Sequence, residues 1–238
     1  MALYAIADLH LPLGIDKPMD KFGSSWANYV ERLCDNWQTV VKSDDTVVIP
    51  GDFSWATYLE QSQKDFEYLN ALNGRKILIK GNHDYWWTTM NKLKNFIADN
   101  GFKNIEFMQN NAFVYENIVL CGTRGWLHPA WDGFTREDRK IFDRETVRMR
   151  LSLDSAAGYL KSGQCSEIYA FMHYPPMSNH AENNEMTDLL KEYNVKQAVY
   201  GHLHGAAHRN AVSGGHEGIE YRLVSADYLQ FVPRKIAD

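Results

Sequence analysis

The stretch ILIKGNHDYWW, residues 77–87, decides how this chain is read. Ile77-Leu78-Ile79 is an apolar run too short for a stable helix, so it reads as a buried strand. It ends in Gly81, Asn82, His83 and Asp84 and then in three aromatic residues. Asn or Asp alone is an ordinary turn or cap residue. An amide, an imidazole and a carboxylate in succession at a strand end point instead to a site.

Four more strand ends carry the same kind of cluster. Asp8-Leu9-His10 follows the run 2–7, Gly51-Asp52 follows 46–50, His173 follows 167–172, and Gly201-His202-Leu203-His204 follows 196–200. Another short apolar run lies at 118–121. Helical spacing separates the strands: Trp26, Val30, Leu33, Trp37 and Val41 share one face, and Tyr58, Phe66, Leu69 and Leu72 share another, ended by Asn73-Gly74. Residues 135–161 form a charge-rich helix that Thr135 caps, with Ile141, Phe142, Met149, Leu153 and Leu160 as an interrupted apolar stripe. Its charges read as a solvated face. The closely spaced short strands of 105–121 make part of the sheet antiparallel. This alternation describes an α/β chain, and with no repeat or linker in view, residues 1–238 are read as one domain.

In an open α/β sheet the carboxyl ends of neighbouring strands converge on one crevice. Asp8 with His10, and His202 with His204, are spaced by two and point the same way in extended chain. Two aspartates, an asparagine and four histidines form a transition-metal donor set, suited to Mn, Fe or Zn more than to Ca or Mg. One ion can take Asp8, His10 and His204 and a second Asn82, His173 and His202, with Asp52 bridging both. Two divalent cations, two aspartates and one hydroxide leave a charge of about +1, which favours an anionic substrate. Such a pair of ions clamps the attacking and leaving oxygens of a phosphoryl displacement.

Asp-x-His, Gly-Asp, Gly-Asn-His-Asp, a later His and Gly-His-x-His, in this order over residues 8–204, resemble the calcineurin-like metallophosphoesterases, in particular their bacterial predicted phosphohydrolases. The resemblance implies a four-layer α/β/β/α sandwich with mixed sheets and a dinuclear site at the carboxyl ends of the strands. It assigns the same seven ligands. It also implies that His83 is no ligand but protonates the leaving oxygen after attack by a metal-bridging hydroxide, with Asp84 orienting it. The sequence GDFSWATYLE lacks the arginine that follows Gly-Asp in the protein phosphatases. Arg124 is the candidate to grip phosphate in its place, with His128 and His180 behind it.

A lone histidine is more often structural than functional, but five of the nine histidines fall in these motifs in the family's order. His208 and His216 read as exposed turn residues, and the tryptophans of DYWWTT and FSWATY as packing residues. The expected function is hydrolysis of a small phosphomonoester or phosphodiester. A nuclease is the alternative within the superfamily, and a metal-loaded binding protein or a structural zinc site lie outside it. A net charge of −5 argues against nucleic acid as partner. Three scattered cysteines, an N-terminus without a basic signal region and the lack of a long apolar run fit a cytoplasmic protein away from membranes.

Overall fold

In the computed structural model, which describes residues 1–17, 19–177, 180 and 182–238, strands and helices alternate as the sequence implies. The order begins β1 (Leu3–Ala5), α1 (Tyr29–Val40), β2 (Thr46–Pro50), α2 (Gln63–Ala71), β3 (Arg75–Ile79), α3 (Met90–Asp99) and β4 (Ile105–Phe107). It continues with β5 (Ala112–Tyr115), β6 (Ile118–Thr123), α4 (Arg136–Lys161), β7 (Glu167–Met172), α5 (Glu185–Glu192), β8 (Gln197–Tyr200), β9 (Gly214–His216) and β10 (Ile219–Leu223), and closes with β11 (Arg234–Ala237). Two compact units result, one of Met1–Phe107 with Ser225–Asp238, the other of Met108–Val224.

The first unit is a mixed sheet of strand order β11-β1-β2-β3-β4, parallel except where β11 pairs antiparallel with β1. Parallel neighbours need crossovers, and α1, α2 and α3 supply them. Leu33 and Trp37 of α1, Phe66 and Leu69 of α2, and Leu93 and Ile97 of α3 share one buried cluster with Val47, Ile49 and Leu78. At roughly 1.5–3 kcal/mol per buried large apolar side chain, this cluster is the main stabiliser of the unit. Trp86 and Trp87 belong to it too, whereas Tyr85 stands 64% exposed. Two of the three aromatics after Asp84 are therefore core.

The second unit has strand order β5-β6-β7-β8-β10-β9, with antiparallel hairpins at both edges and parallel pairing between. Phe142, Met149 and Leu153 of α4 pack with Met186, Leu189 and Leu190 of α5 and with Val119, Ile168 and Ala170 of the strands. Thr135 caps α4 as expected, its hydroxyl accepting the Asp138 N–H while Asp138 accepts the Thr135 N–H.

The two mixed sheets with their helices are the α/β class read from the sequence. Helix α5, which no pattern in the sequence marks, starts where Asn184 caps it by accepting from Met186 and Thr187 N–H. Helix α3 and strands β9, β10 and β11 likewise add to the elements that the sequence pattern marks. Tyr58 lies outside α2, before a short 3-10 helix at Leu59–Ser62. Among the described residues, no helix is long and apolar enough to cross a membrane.

Candidate functional site

The first unit gathers its site residues by extending strand pairing past the regular ends of β1 and β2. Asp8 N–H donates to Gly51 O at 2.9 Å and His10 N–H to Asp52 O at 2.9 Å, followed by Leu11 N–H to Phe53 O at 3.0 Å. This register sets Asp8 and His10 beside Asp52. Asp8 presents a ligand atom within 4.8 Å of one on His10 and of one on Asp52, and all three residues are buried. His10 Nε2 lies 3.7 Å from Asp52 Oδ2.

The backbone is strained where these ligands stand. Asp8 (φ 62°), His10 (φ 46°), Asp52 (φ 53°) and, in the second unit, His202 (φ 71°) all adopt the left-handed conformation. For residues with a Cβ this is sparsely populated and costs on the order of 1–3 kcal/mol, and it clusters at functional sites. Gly81 serves a different need. A Cβ there would meet Asp52 Oδ1 at 2.1 Å, so only glycine lets the third loop approach the second.

Asp84 closes this arrangement. It is fully buried and accepts five N–H groups: Gly81 at 2.7 Å, Asp52 at 2.9 Å, Phe53 at 2.9 Å, Ser54 at 3.3 Å and the Trp86 indole at 3.0 Å. The resemblance implies a carboxylate that orients His83; the geometry adds that it fastens the Asp52 loop to the Gly81 turn. Asp52 returns the tie, its Oδ1 accepting His83 N–H at 2.8 Å. Asp65, from α2, holds the loop after β1 by accepting Leu13 N–H at 2.8 Å, and it also accepts the Ser54 hydroxyl. Burial pushes its carboxyl up to about 7, against the lowering effect of the Ser54, Leu13 and Gly14 hydrogen bonds.

Trp55, read from the sequence as a packing residue, belongs to the site. Its ring stacks on His10 at 4.5 Å and lies 4.6 Å from His83, and the Lys17 ammonium sits 3.0 Å from the ring centroid. Its position three residues after Asp52 is the signal that could have found it.

In the second unit the same extension of pairing acts on β6, β7 and β8. His173 and Tyr174 N–H both donate to Arg124 O, at 3.1 and 2.9 Å, and Gly201 N–H donates to His173 O at 3.1 Å. His173 Nε2 and His202 Nδ1 thereby face each other at 3.2 Å, and Tyr174 packs against His202 at 4.1 Å between centroids. Two imidazole nitrogens at this spacing form half of a metal-binding donor set. His204 begins the 3-10 helix Gly205–Asn210 from its N-cap.

Arg124, the candidate to grip phosphate, has its guanidinium partly engaged. Its guanidinium donates to buried Glu145 at 3.3 Å, lies 4.5 Å from the Trp126 ring centroid, and is only 13% exposed. Burial lowers its pKa, while Glu145 acts in the opposite direction. Nothing in the sequence marks Glu145, which arrives from α4 and also takes Thr123 Oγ1 at 2.7 Å and Arg148 at 2.8 Å. His128 and His180 line a cavity of about 490 Å³ that His202 adjoins. His128 Nδ1 accepts Ala130 N–H at 3.0 Å, so its Nε2 carries the proton toward Glu182 O at 3.2 Å.

Residues 1–206 match the family model of the calcineurin-like phosphoesterases. The chain belongs to that family. The match runs through both units and contains all five motifs. Solved structures repeat the fold at low identity. A phosphopantetheinyl hydrolase from Mycobacterium tuberculosis is 14% identical with a TM-score of 0.57, the alignment covering 99% of this chain and 95% of that one. A protein of unknown function from Aquifex aeolicus, AQ665, is 18% identical with a TM-score of 0.50 over 98% and 95%. TT1561 of Thermus thermophilus is 13% identical with a TM-score of 0.52 over 87% and 85%. No curated protein matches the chain significantly by sequence. Family membership makes divalent metals the expected cofactors, and the donor chemistry fits them: buried carboxylates beside an imidazole in one unit, paired imidazoles in the other.

Proposed function

We propose that the protein is a metal-dependent hydrolase of phosphate esters, monoester or diester, with residues 1–238 as one metallophosphoesterase domain. The observation that carries the reading is the strained, buried cluster of Asp8, His10 and Asp52 with His83 beside it. Asp8, His10 and His204 would hold one ion, Asn82, His173 and His202 another, and Asp52 both. Mn, Fe or Zn suits these donors. When bound, such ions supply Lewis acidity and lower the pKa of a water to make it a nucleophile near neutral pH.

The chain's own residues account for the rest. The Asp84 network fixes Asp52 and the backbone of His83, so that the imidazole stands ready without reorganisation. As the new P–O bond forms and the ester P–O bond breaks, the His83 imidazolium gives its proton to the departing oxygen. Trp55 packs against both His10 and His83, whose rings also meet each other edge to face at 5.6 Å. Arg124 holds the His173 turn through its carbonyl, and its guanidinium, which meets Glu145 through Nη2, keeps further N–H groups with which to grip phosphate. His128 and His180 are placed to meet the remainder of a small phosphorylated substrate. We place the protein in the cytoplasm.

The test is turnover of 4-nitrophenyl phosphate and bis(4-nitrophenyl) phosphate by protein reconstituted with Mn. Activity is expected to disappear in Asp52→Asn while the circular dichroism spectrum is kept. Full activity in that variant, or activity indifferent to chelator, would refute the proposal.

A further inference from the structure

The cavity of the second unit is built for something other than phosphate. Among the described residues that line it there is no lysine or arginine, while Asp132 and Glu182 contribute carboxyl groups. A dianionic group would meet imidazoles but no permanent cation among these residues, so the cavity is better suited to the neutral part of a substrate. Its volume of about 490 Å³ lies in the range of small-molecule sites.

Its walls are aromatic and fixed. Trp126 and Tyr174 pack at 5.0 Å between centroids, and Trp126 is pinned by its indole N–H donating to Asp138 at 3.0 Å. Trp131 lines the cavity and stands 55% exposed, so its indole is accessible to a ligand there. The ring is not loose. It lies over Gly133, where a Cβ would meet it at 2.8 Å, and its backbone N–H closes a turn on His128 O at 3.0 Å. The His128–Glu182 hydrogen bond ties the loop bearing Trp131 to the loop after β7, so both walls are held together.

Resting on the phosphoesterase reading above, we infer that this cavity receives the leaving group, and that it selects a planar heteroaromatic ring that stacks on Trp131. The reaction class is then hydrolysis of esters such as nucleoside monophosphates. The ring would lie in the cavity with His128, His180 and Asn210 facing its polar edge, and the ester would lie toward His202.

Adenosine 5′-monophosphate and ribose 5-phosphate carry the same primary ester and differ only in the ring. With Mn-loaded protein, kcat/KM is expected to favour the adenosine ester by roughly 5- to 150-fold, the range that stacking of one base on an aromatic side chain supplies. Trp131→Ala should bring the ratio toward one, and Trp131→Phe should retain most of it. Cleavage of both esters with a ratio near one, or a ratio that Trp131→Ala leaves intact, overturns the inference while the phosphoesterase reading stands. If neither ester is cleaved, the monoesterase reading fails separately, and calorimetric binding of adenosine decides: binding lost in Trp131→Ala supports the cavity's role, and absence of binding overturns it.

Discussion

Replacing Asp84 by Asn changes one atom and should cost the protein much of its stability. The carboxylate divides its donors between two oxygens: Oδ1 accepts from Phe53, Ser54 and the Trp86 indole, and Oδ2 from Gly81 and Asp52. An asparagine keeps one oxygen and turns an NH2 toward the other set. Its better choice keeps the three donors at Oδ1 and leaves Gly81 and Asp52 N–H facing a third donor. Each buried donor left unsatisfied costs about 1–3 kcal/mol, so the loss should be about 2–6 kcal/mol. That is a large part of a domain's usual stability of about 5–15 kcal/mol. Because Asp52 N–H is one of the two, the carboxylate proposed to bind both ions should shift as well. Urea unfolding of the metal-free variant measures the first effect through the midpoint, and metal titration followed by 4-nitrophenyl phosphate turnover measures the second. A stability loss under about 1 kcal/mol with unchanged metal affinity would show that Asp84 does not fasten these loops.

Other perturbations act on single elements of the same design. Gly81→Ala brings a Cβ to 2.1 Å from Asp52 Oδ1, so it should reduce turnover at least tenfold; wild-type kinetics would contradict the close approach. His83→Ala should slow alkyl phosphates far more than 4-nitrophenyl phosphate, whose leaving group needs no proton, and equal slowing would rule out a general acid. Asn82→Asp removes the residual positive charge of the loaded site and should weaken inhibition by inorganic phosphate, as a shift in its inhibition constant would show. Asp65 has a folded-state pKa of about 7, above its unfolded value, so the folded protein holds the extra proton between about pH 4 and 7. Stability from this group therefore falls as pH rises through that window, by up to about 1.4 kcal/mol per pH unit. Asp65→Asn should remove that slope in urea midpoints measured across about pH 4–8, and parallel profiles would refute it.

What the sequence made legible was local. The Gly-Asn-His-Asp run, the Asp-x-His pair and the Gly-His-x-His end are each contained within four residues, and strand ends place them without further information. Helix α4 was legible for the same reason, through Thr135 and Asp138 three residues apart. The part Asp84 plays is hidden from such a reading because three of its partners, Asp52, Phe53 and Ser54, lie 30 or more residues away. That of Arg124 is hidden because Glu145 comes from a helix 21 residues on. Trp86 and Trp87 are distinguished from a pocket wall only by the packing of α2 and α3 against them. The cavity beside His202 needs Trp126, His128 and Trp131 to meet Tyr174, His180 and Glu182, and no periodicity announces such a meeting.

The distribution of strain and its anchors explains how the chain alone can hold the ligand loops in shape. Three candidate ligand residues of the first unit, Asp8, His10 and Asp52, stand in left-handed conformations, at a combined cost of several kcal/mol. Hydrophobic burial cannot select these conformations, because it is indifferent to the φ of a loop residue. Directional hydrogen bonds can. Asp84 fastens the second loop to the third, Asp65 fastens the first to the second through Leu13 and Ser54, and the pairing of His10 with Asp52 runs between them. Two buried carboxylates outside the proposed ligand set thus hold the ligand loops in place. Ions bound there as proposed would meet donors already in position and need not order them, which would raise affinity by lowering the entropy lost on binding.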